Sequence, residues 1–349
     1  MRTQKLLALF AVALTALWVA GCSEEVDLTK SFQTSLAGVA ITHVAPVDPA
    51  TNTVAVEFAL MDELGNSNLD PSQFTVRIYE RSLRTGEREL VFDSSAAEEV
   101  PAASGVLMAP QRGNVQPRPR PLNLAMVLDR SGSMNQNEQL TMEAAALRVL
   151  ENLRNNDKVE VINVSTEVHV DASFRGANSQ RLVRAITEPS IRHGWTKIFD
   201  AILQGAQDAA NHQRRQVDRG QRRIAVFTVT DGEDNRSDVS VADVVNACVG
   251  LNAPVFIIGI ADPSDPTDLQ TSDLQQIADG TGGRLILTTD PLALSTILTG
   301  LQDAVGQPFV AEYESPHADE GEWEVEVEVE RNGEVFRNGR RVVVAEEGE

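Results

Sequence analysis

The sequence predicts an α/β fold with a doubly wound, mostly parallel sheet that is inserted in, or flanked by, an antiparallel β-sandwich. Strand-like and helix-like segments alternate from residue 122 to about residue 305, which is the pattern of such a sheet. Residues 225–229 and 255–260 are apolar without alternation, as in central parallel strands buried on both faces. Before residue 110 and after residue 306, apolar and polar residues alternate instead, as in half-buried antiparallel strands.

The N-terminal residues have the pattern of a secretory signal. Arg2 and Lys5 precede an apolar run of 15 residues, 6–20, which is short for a membrane span. The run ends in Val19-Ala20-Gly21-Cys22, which resembles a bacterial lipoprotein signal, where cleavage precedes the cysteine and the thiol receives lipid. An ordinary signal peptide is the alternative.

The lipoprotein interpretation predicts three features. Residues 1–21 form the signal peptide, Cys22 carries the lipid that anchors the chain to a membrane, and residues 22–35 form a polar tether. Ser23, rather than an aspartate, follows the cysteine, which favours the outer membrane. The protein is then expected in the bacterial cell envelope, facing either the periplasm or the cell surface.

The composition excludes one class of partner. The formal net charge is −21 and the pI is about 4.6, whereas nucleic acid binding requires a basic face. We therefore expect no nucleic acid partner. If Cys22 carries lipid, Cys248 has no partner for an intrachain disulfide. The helical pattern around Cys248 predicts a small core residue and not a reactive thiol.

The two β regions are expected at residues 36–109 and 307–345, separated from each other by the α/β region at 122–306. Strands are predicted at 53–61, 74–79 and 89–92, and again at 322–330 and 341–344, where Asn332-Gly333 marks a hairpin turn. Because neither region is long enough for a comfortable sandwich of its own, we expect both to form one β-sandwich. The Pro/Arg-rich residues 110–121 are predicted to be a stiff linker without regular structure.

Within the α/β region the predicted elements follow one another in regular order. Predicted strands are 122–128, 158–165, 168–171, 224–230, 255–260 and 284–288. Predicted helices are 138–153, 179–186, 198–211, 241–251, 274–278 and 293–305. An open sheet of this kind binds ligands at the carboxyl ends of its strands.

Candidate metal ligands stand at these strand ends. Asp129, Ser131 and Ser133 follow the first strand, and Asp231 follows the strand at 224–230. Thr196 lies just before the helix that begins near Ile198. Carboxylate and hydroxyl oxygens are hard donors, the type that Mg²⁺ and Mn²⁺ prefer.

Taken together, these motifs resemble the von Willebrand factor type A domain and its metal-ion-dependent adhesion site. The matching strings are D-x-S-x-S from Asp129, G-x-T-x-I-x-D-A from Gly194 and T-D-G-E-D from Thr230. The resemblance covers about residues 120–305. Trp195 is a departure, since the family often has glycine there; it could narrow the site or offer a contact surface.

The resemblance implies a role for each site residue. Ser131 and Ser133 bind Mg²⁺ or Mn²⁺ directly, Asp129 and Asp231 bind it directly or through water, and Thr196 binds it in the ligand-competent state. A partner protein's Asp or Glu completes the metal shell. The function implied is adhesion to a protein partner without catalysis.

Other interpretations remain open at this point. Ser, Thr and Asp are favoured N-caps, so the same residues could be helix caps without a metal. Alternatively, the protein could be a structural scaffold of an envelope complex, with a metal that only stabilises the fold. An enzyme is less well supported, because the chain has no G-x-S-x-G frame and no H-E-x-x-H motif.

Overall fold

The computed structural model describes residues 37–343, except 49, 63–64, 68, 96–110, 112, 177, 233, 261–270 and 289. The predicted signal peptide, the predicted lipidation site at Cys22 and the predicted tether lie outside the described residues. None of the described helices is long and apolar enough to cross a membrane.

The described chain forms fourteen β-strands and six α-helices. In chain order they are β1 Gly38–Asp48, β2 Thr53–Met61, β3 Thr75–Ser82, β4 Arg88–Asp93, β5 Gln116–Pro117, β6 Leu122–Asp129, α1 Gln136–Glu151, β7 Lys158–Val164, β8 Val168–Arg175, α2 Gln180–Thr187, α3 Ile198–Arg214, β9 Arg223–Thr230, α4 Val241–Gly250, β10 Val255–Ile260, α5 Thr271–Gly280, β11 Arg284–Thr288, α6 Leu294–Gly306, β12 Phe309–Glu314, β13 Glu322–Arg331 and β14 Glu334–Val343.

The six-stranded sheet of the α/β region confirms the predicted fold class. Its strand order is β11-β10-β9-β6-β7-β8, and all neighbours are parallel except β8, which runs antiparallel to β7. Leu124 and Met126 of β6 pack with α1, α2 and α6 on one face of the sheet. Ala125 and Val127 pack with α3, α4 and α5 on the other. Because helices cover both faces, the apolar run of β6 needs no alternation.

Two four-stranded antiparallel sheets enclose a separate apolar core. The first has the order β1-β2-β12-β5 and the second the order β14-β13-β3-β4. Each sheet therefore contains strands from both sides of the α/β region. Phe58, Phe309 and Trp323 are fully or almost fully buried between the sheets, together with the valines of β13. Strands β1 and β12 were not among the predicted strands.

The alternating glutamates of β13 form an acidic comb on the outer face of the second sheet. Its glutamates alternate with buried valines, and arginines of β3, β4 and β14 pair with them: Arg341 with Glu322, Arg81 with Glu324, Arg88 with Glu326, and Arg77 and Arg337 with Glu328. The comb is a solvated sheet face, with its charge offset across the strands.

The predicted linker differs from expectation, because part of it is a strand. Gln116–Pro117 pairs with the start of β12, and the backbone of Arg120 donates to the carbonyl of Gly306. The chain thus enters and leaves the α/β region side by side. A two-residue strand whose partner lies almost 200 residues later has no local pattern, so the sequence shows only its prolines.

Buried ion pairs hold the base of the α/β sheet to the first antiparallel sheet. Glu57 of β2 accepts two hydrogen bonds from Arg223 of β9, at 2.5 and 2.7 Å, and two from Arg120, at 2.8 and 3.1 Å. Burial alone would raise the pKa of Glu57, but its bonds to Arg223 and Arg120 outweigh burial and lower it. The carboxylate therefore stays charged in the interface.

Cys248 confirms the prediction of a core residue. It lies on α4 and is fully buried in the layer that contains α3. Burial raises the pKa of its thiol to about 12, so the reactive thiolate is disfavoured.

Candidate metal centre

The site begins where β6 ends, at Asp129. This carboxyl is fully buried. One oxygen accepts from the backbone N–H of Ser131 at 2.8 Å, and the other accepts from the hydroxyl of Thr230 at 2.6 Å. These bonds fix Asp129 between its own loop and the end of β9, because parallel strands place their carboxyl ends at one edge of the sheet.

Two serines connect Asp129 to Asp231. The hydroxyl oxygens of Ser131 and Ser133 are 3.0 Å apart, and the Ser133 hydroxyl donates to Asp231 Oδ1 at 2.9 Å. Ser131 is buried whereas Ser133 is exposed. The residue after Asp231 is Gly232, where an added Cβ would lie 3.4 Å from the Ser133 hydroxyl. The structure thus brings together four of the five predicted ligands.

Thr196 lies on a neighbouring loop that is attached through backbone contacts. The N–H of Gly132 donates to the carbonyl of Gly194 at 3.1 Å, and the N–H of His193 donates to the carbonyl of Arg130 at 2.6 Å. Thr196 is buried, and its N–H donates to Asn235 Oδ1 at 3.0 Å. Its described hydrogen bonds therefore position its backbone, and they leave its hydroxyl free to serve a ligand.

Gly194 is required where the Thr196 loop meets the end of β7. Its φ of 105° is one that L side chains rarely adopt, and an added Cβ would lie 2.3 Å from the hydroxyl oxygen of Thr166. That same Thr166 hydroxyl accepts from the N–H of Trp195 at 3.0 Å. Close approach here holds Trp195 and Thr196 at the rim of the site.

Two aspartates join the Asp231 loop to the start of α3, and the sequence did not reveal their roles. Asp234 Oδ2 accepts from the N–H of Phe199 at 3.0 Å. In return, Asp200 Oδ1 accepts from the N–H groups of Asp238 and Val239, at 3.0 and 3.2 Å. An acidic residue in the first helical turn, Asp200, was the available signal. The pair fixes the spacing between Thr196 and Asp231.

Arg130 is a second residue that the sequence did not reveal. It lies between two predicted ligands, yet its side chain is fully buried on the opposite side of the loop. Its guanidinium donates to Asn163 Oδ1 at 2.8 Å, Glu143 Oε1 at 2.6 Å and the carbonyl of Ile186 at 2.6 Å. Because β7, α1 and α2 all hold this side chain, the backbone between Asp129 and Ser131 is fixed. Its partners are distant in sequence, so no local motif marks it.

The two carboxyls of the site have unusual electrostatics. Burial, together with the negative charge of Asp129, raises the pKa of Asp231 to about 7, and the hydrogen bond from Ser133 offsets only part of this effect. Burial also raises the pKa of Asp129. Neither carboxyl forms an ion pair with a described residue. A cation between them would reverse both shifts.

The oxygen spacing and the donor types fit a small divalent cation. The separations Ser131–Ser133 and Ser133–Asp231 are 3.0 and 2.9 Å. Adjacent oxygens in an octahedral Mg²⁺ shell with bonds of about 2.0–2.1 Å lie roughly 2.9 Å apart. No cluster of three His, Cys, Asp or Glu that could hold a metal occurs among the described residues. A cation at this position would therefore need the serine hydroxyls as donors.

The rim carries an aromatic ring and a guanidinium. Trp195 is 54% exposed, and the guanidinium carbon of Arg236 lies 5.0 Å from the centre of its ring. Arg236 forms no ion pair with a described residue, whereas the neighbouring Lys197 pairs with Asp238 at 2.6 Å. Arg236 is thus available to a carboxylate that approaches the metal site.

Comparison with known proteins identifies the α/β region. The model of the von Willebrand factor type A domain matches residues 123–299, slightly more than half of the chain. An uncharacterized protein of Synechocystis is 29% identical over 118 residues, which cover 34% of this chain. The matched stretch spans only 27% of that relative's length.

Several solved structures are similar at low identity. Proximal thread matrix protein 1 of the mussel byssus is 17% identical, with 55% of this chain and 49% of that chain covered and a TM-score of 0.45. A von Willebrand factor type A protein from Catenulispora acidiphila is 12% identical, with 91% and 76% covered and a TM-score of 0.45. An aerotolerance-related membrane protein of Bacteroides fragilis is 16% identical, with 53% and 98% covered and a TM-score of 0.42.

Proposed function

Because this chain belongs to the von Willebrand factor type A domain family, we propose that it binds a protein partner through a divalent cation, Mg²⁺ or Mn²⁺. Ser131 and Ser133 bind the cation directly, and Asp129 and Asp231 offset its charge directly or through water. Thr196 adds its hydroxyl when a partner is bound. Family membership points to protein interaction or adhesion; the metal, the ligands and the partner chemistry are our proposal.

The observation that carries this proposal is the chain of oxygens from Ser131 through Ser133 to Asp231. Its separations of 3.0 and 2.9 Å match adjacent positions of an octahedral shell. Helix capping does not account for this series of oxygens. The capping box of α1 is formed by Asn135 and Glu138, so neither serine is needed as its cap.

The partner is expected to supply a carboxylate. A cation held by two carboxylates and neutral hydroxyls keeps room for another oxygen ligand, and an Asp or Glu side chain supplies one with a charge. Trp195 and Arg236 stand at the rim, where a second acidic or aromatic group of the same partner would meet them. The cation thereby makes a carboxylate receptor within an acidic protein.

Metal binding is tested first, by Mn²⁺ titration of the purified chain. Ser133→Ala should weaken Mn²⁺ binding by at least tenfold, because it removes one direct ligand and leaves the fold intact. Ser72→Ala is the matched control, since Ser72 is exposed on a turn of the antiparallel region. Equal Mn²⁺ affinity of wild type and Ser133→Ala would contradict the proposed ligand set.

Partner binding is tested by capture of envelope proteins in Mg²⁺, in EDTA and with Ser133→Ala or Asp129→Ala. We expect proteins that are retained only by the wild type in Mg²⁺ and released by EDTA. If the same proteins are retained in every case, metal-dependent adhesion is wrong. If Asp129→Ala unfolds the chain while Ser133→Ala binds normally, the metal has a structural role in an envelope scaffold.

The location of the protein is also a proposal. A lipid on Cys22 would hold the site outside the cytoplasm, at the outer membrane. Cys22→Ser should move the chain from the membrane fraction to the soluble envelope fraction. No catalytic step is proposed, and turnover of a substrate that disappears in Ser131→Ala would overturn that part.

A further inference from the structure

Glu160 occupies a position that the strand pattern assigns to the apolar core. In β7, Ile162 and Val164 face the layer that contains α3, and residue 160 shares their side of the strand. Glu160 lies beside Ala125 of β6, which belongs to the same apolar layer. Glu160 is only 2% exposed, and its Oε2 has no hydrogen-bond partner among the described residues. A buried carboxyl without a partner is costly, so it requires an explanation.

This carboxyl lines a cavity of about 390 Å³ between α3 and the β7–β8 hairpin. The volume lies in the range of small-molecule sites. Burial raises the pKa of the Glu160 carboxyl. The negative charge of Asp208, which lines the same cavity from α3, raises it further, to about 8. The cavity therefore has two carboxyls whose negative charges repel each other, and a cation bound there would relieve this repulsion.

The opposite charge lies at the same cavity, on Arg175 and Arg215. Arg175 ends β8 and Arg215 follows α3, and both line the cavity with exposed side chains. Neither forms an ion pair with a described residue. The cavity thus combines two buried or half-buried carboxyls with two exposed guanidiniums, with the stacked rings of Phe174 and His212 beside them.

A metal ion does not suit this donor set. The described residues contain no group of three His, Cys, Asp or Glu that could hold one. An ammonium group needs only hydrogen-bond acceptors and a negative charge, which Glu160 and Asp208 supply. Guanidiniums, in turn, prefer carboxylates.

We propose that this cavity binds a small aliphatic zwitterion, whose ammonium group pairs with Glu160 and Asp208 and whose carboxylate pairs with Arg175 and Arg215. The site lies at the start of β7, away from the strand ends that form the metal centre. It is therefore independent of the proposed adhesion function. A ligand there would stabilise the packing of α3 against the sheet.

Three four-carbon probes test the proposal on the full chain by calorimetric titration: γ-aminobutyrate, butylammonium and butyrate. We expect γ-aminobutyrate to bind at least tenfold more tightly than either of the others. Glu160→Gln should weaken its binding at least tenfold, while the matched change Glu324→Gln on the exposed comb should leave it unchanged.

A second variant tests the arginine half of the site. Arg175 and Arg215 are both exposed, and the double change Arg175→Ala with Arg215→Ala should make γ-aminobutyrate and butylammonium bind equally. Failure of γ-aminobutyrate to bind at about 10 mM overturns the proposal. Equal binding by wild type and Glu160→Gln, or tighter binding of butyrate than of γ-aminobutyrate, overturns it as well.

Discussion

The two ends of the α/β sheet treat carboxyl groups in opposite ways. At the base, Glu57 is paired with Arg223 and Arg120, and its pKa is lowered. At the carboxyl ends of the strands, Asp129 and Asp231 are bonded to hydroxyls and N–H groups, and both pKa values are raised. The difference separates two uses of a buried charge. Where the chain supplies its own cation the carboxyl stabilises the fold, and where it does not the carboxyl is available for an external cation.

The largest effect on stability is expected at the base. Glu57→Ala leaves the guanidinium of Arg223, itself almost fully buried, without its counter-charge. We expect a loss of about 3–5 kcal/mol in the free energy of unfolding, measured with urea. Glu324→Ala on the exposed comb is the control and should cost less than about 1 kcal/mol. Similar losses for both variants would show that the buried ion pair contributes no more to the free energy of unfolding than an exposed one.

The variant Glu160→Gln tests whether an unpaired carboxyl away from the metal centre has a raised pKa, as the carboxyls at the strand ends do. Its folded pKa of about 8 lies above the ordinary glutamate value of 4.5, so its contribution to stability is full below about pH 4.5 and is lost as pH rises towards 8. Asp208, His212, Arg175 and Arg215 share the cavity, and Asp208 is the group that raises the pKa further. Glu160→Gln should therefore gain about 4 kcal/mol near pH 8 and nothing near pH 4.

The opposite pH profile at Glu57 supplies the control. Its folded pKa is lowered, so its stabilising contribution is present above the ordinary glutamate pKa and is lost as the solution is acidified. Glu57→Gln should thus lose stability at neutral pH and approach the wild type in acid. If Glu160→Gln and Glu57→Gln show the same pH trend, the distinction between paired and unpaired carboxyls is wrong.

At the metal centre, replacing the acid by its amide should raise the free energy of unfolding, the opposite of the effect expected for Glu57→Gln at neutral pH. In EDTA, Asp231→Asn removes the repulsion with Asp129 and should raise the free energy of unfolding by about 1–2 kcal/mol near pH 7. In saturating Mg²⁺ the wild type should gain stability and the variant should not, because the metal binds only the folded wild type. If Asp231→Asn is less stable than the wild type in EDTA, the Asp231 carboxyl stabilises the fold as Glu57 does.

Trp195 is expected to give the smallest effect on stability. Its ring is more than half exposed, so Trp195→Ala should change the free energy of unfolding by about 0.5 kcal/mol or less. Partner binding in Mg²⁺ should fall about tenfold, since exposed tryptophans beside a site are frequent binding anchors. Unchanged partner affinity, measured against Leu292→Ala at another exposed apolar position, would remove Trp195 from the binding surface.

Local patterns explain which parts of this structure the sequence could predict. The parallel strands were visible as apolar runs, and their ends predicted the neighbourhood of Asp129 and Asp231. The geometry that fixes the site was not visible, because Arg130 bonds to side chains and a carbonyl that lie 13 to 56 residues away. Strand β12 and the Glu57–Arg223 pair were missed for the same reason. Partners 166 residues apart leave no periodic signal.

The neighbouring entry and exit of the chain also determine how this protein would carry mechanical force. A pull on the α/β region while Val343 at the end of β14 is held reaches β12 at Phe309 and continues along the strand. All six residues of β12 are in register with β2, so their hydrogen bonds would share the load at the same time instead of opening one by one. Arg154 donates to the carbonyls of both Gly306 and Arg120, which ties the outgoing chain to the incoming one at the point of entry. Such a joint resists extension by shear, because strand hydrogen bonds loaded along the strand must break together.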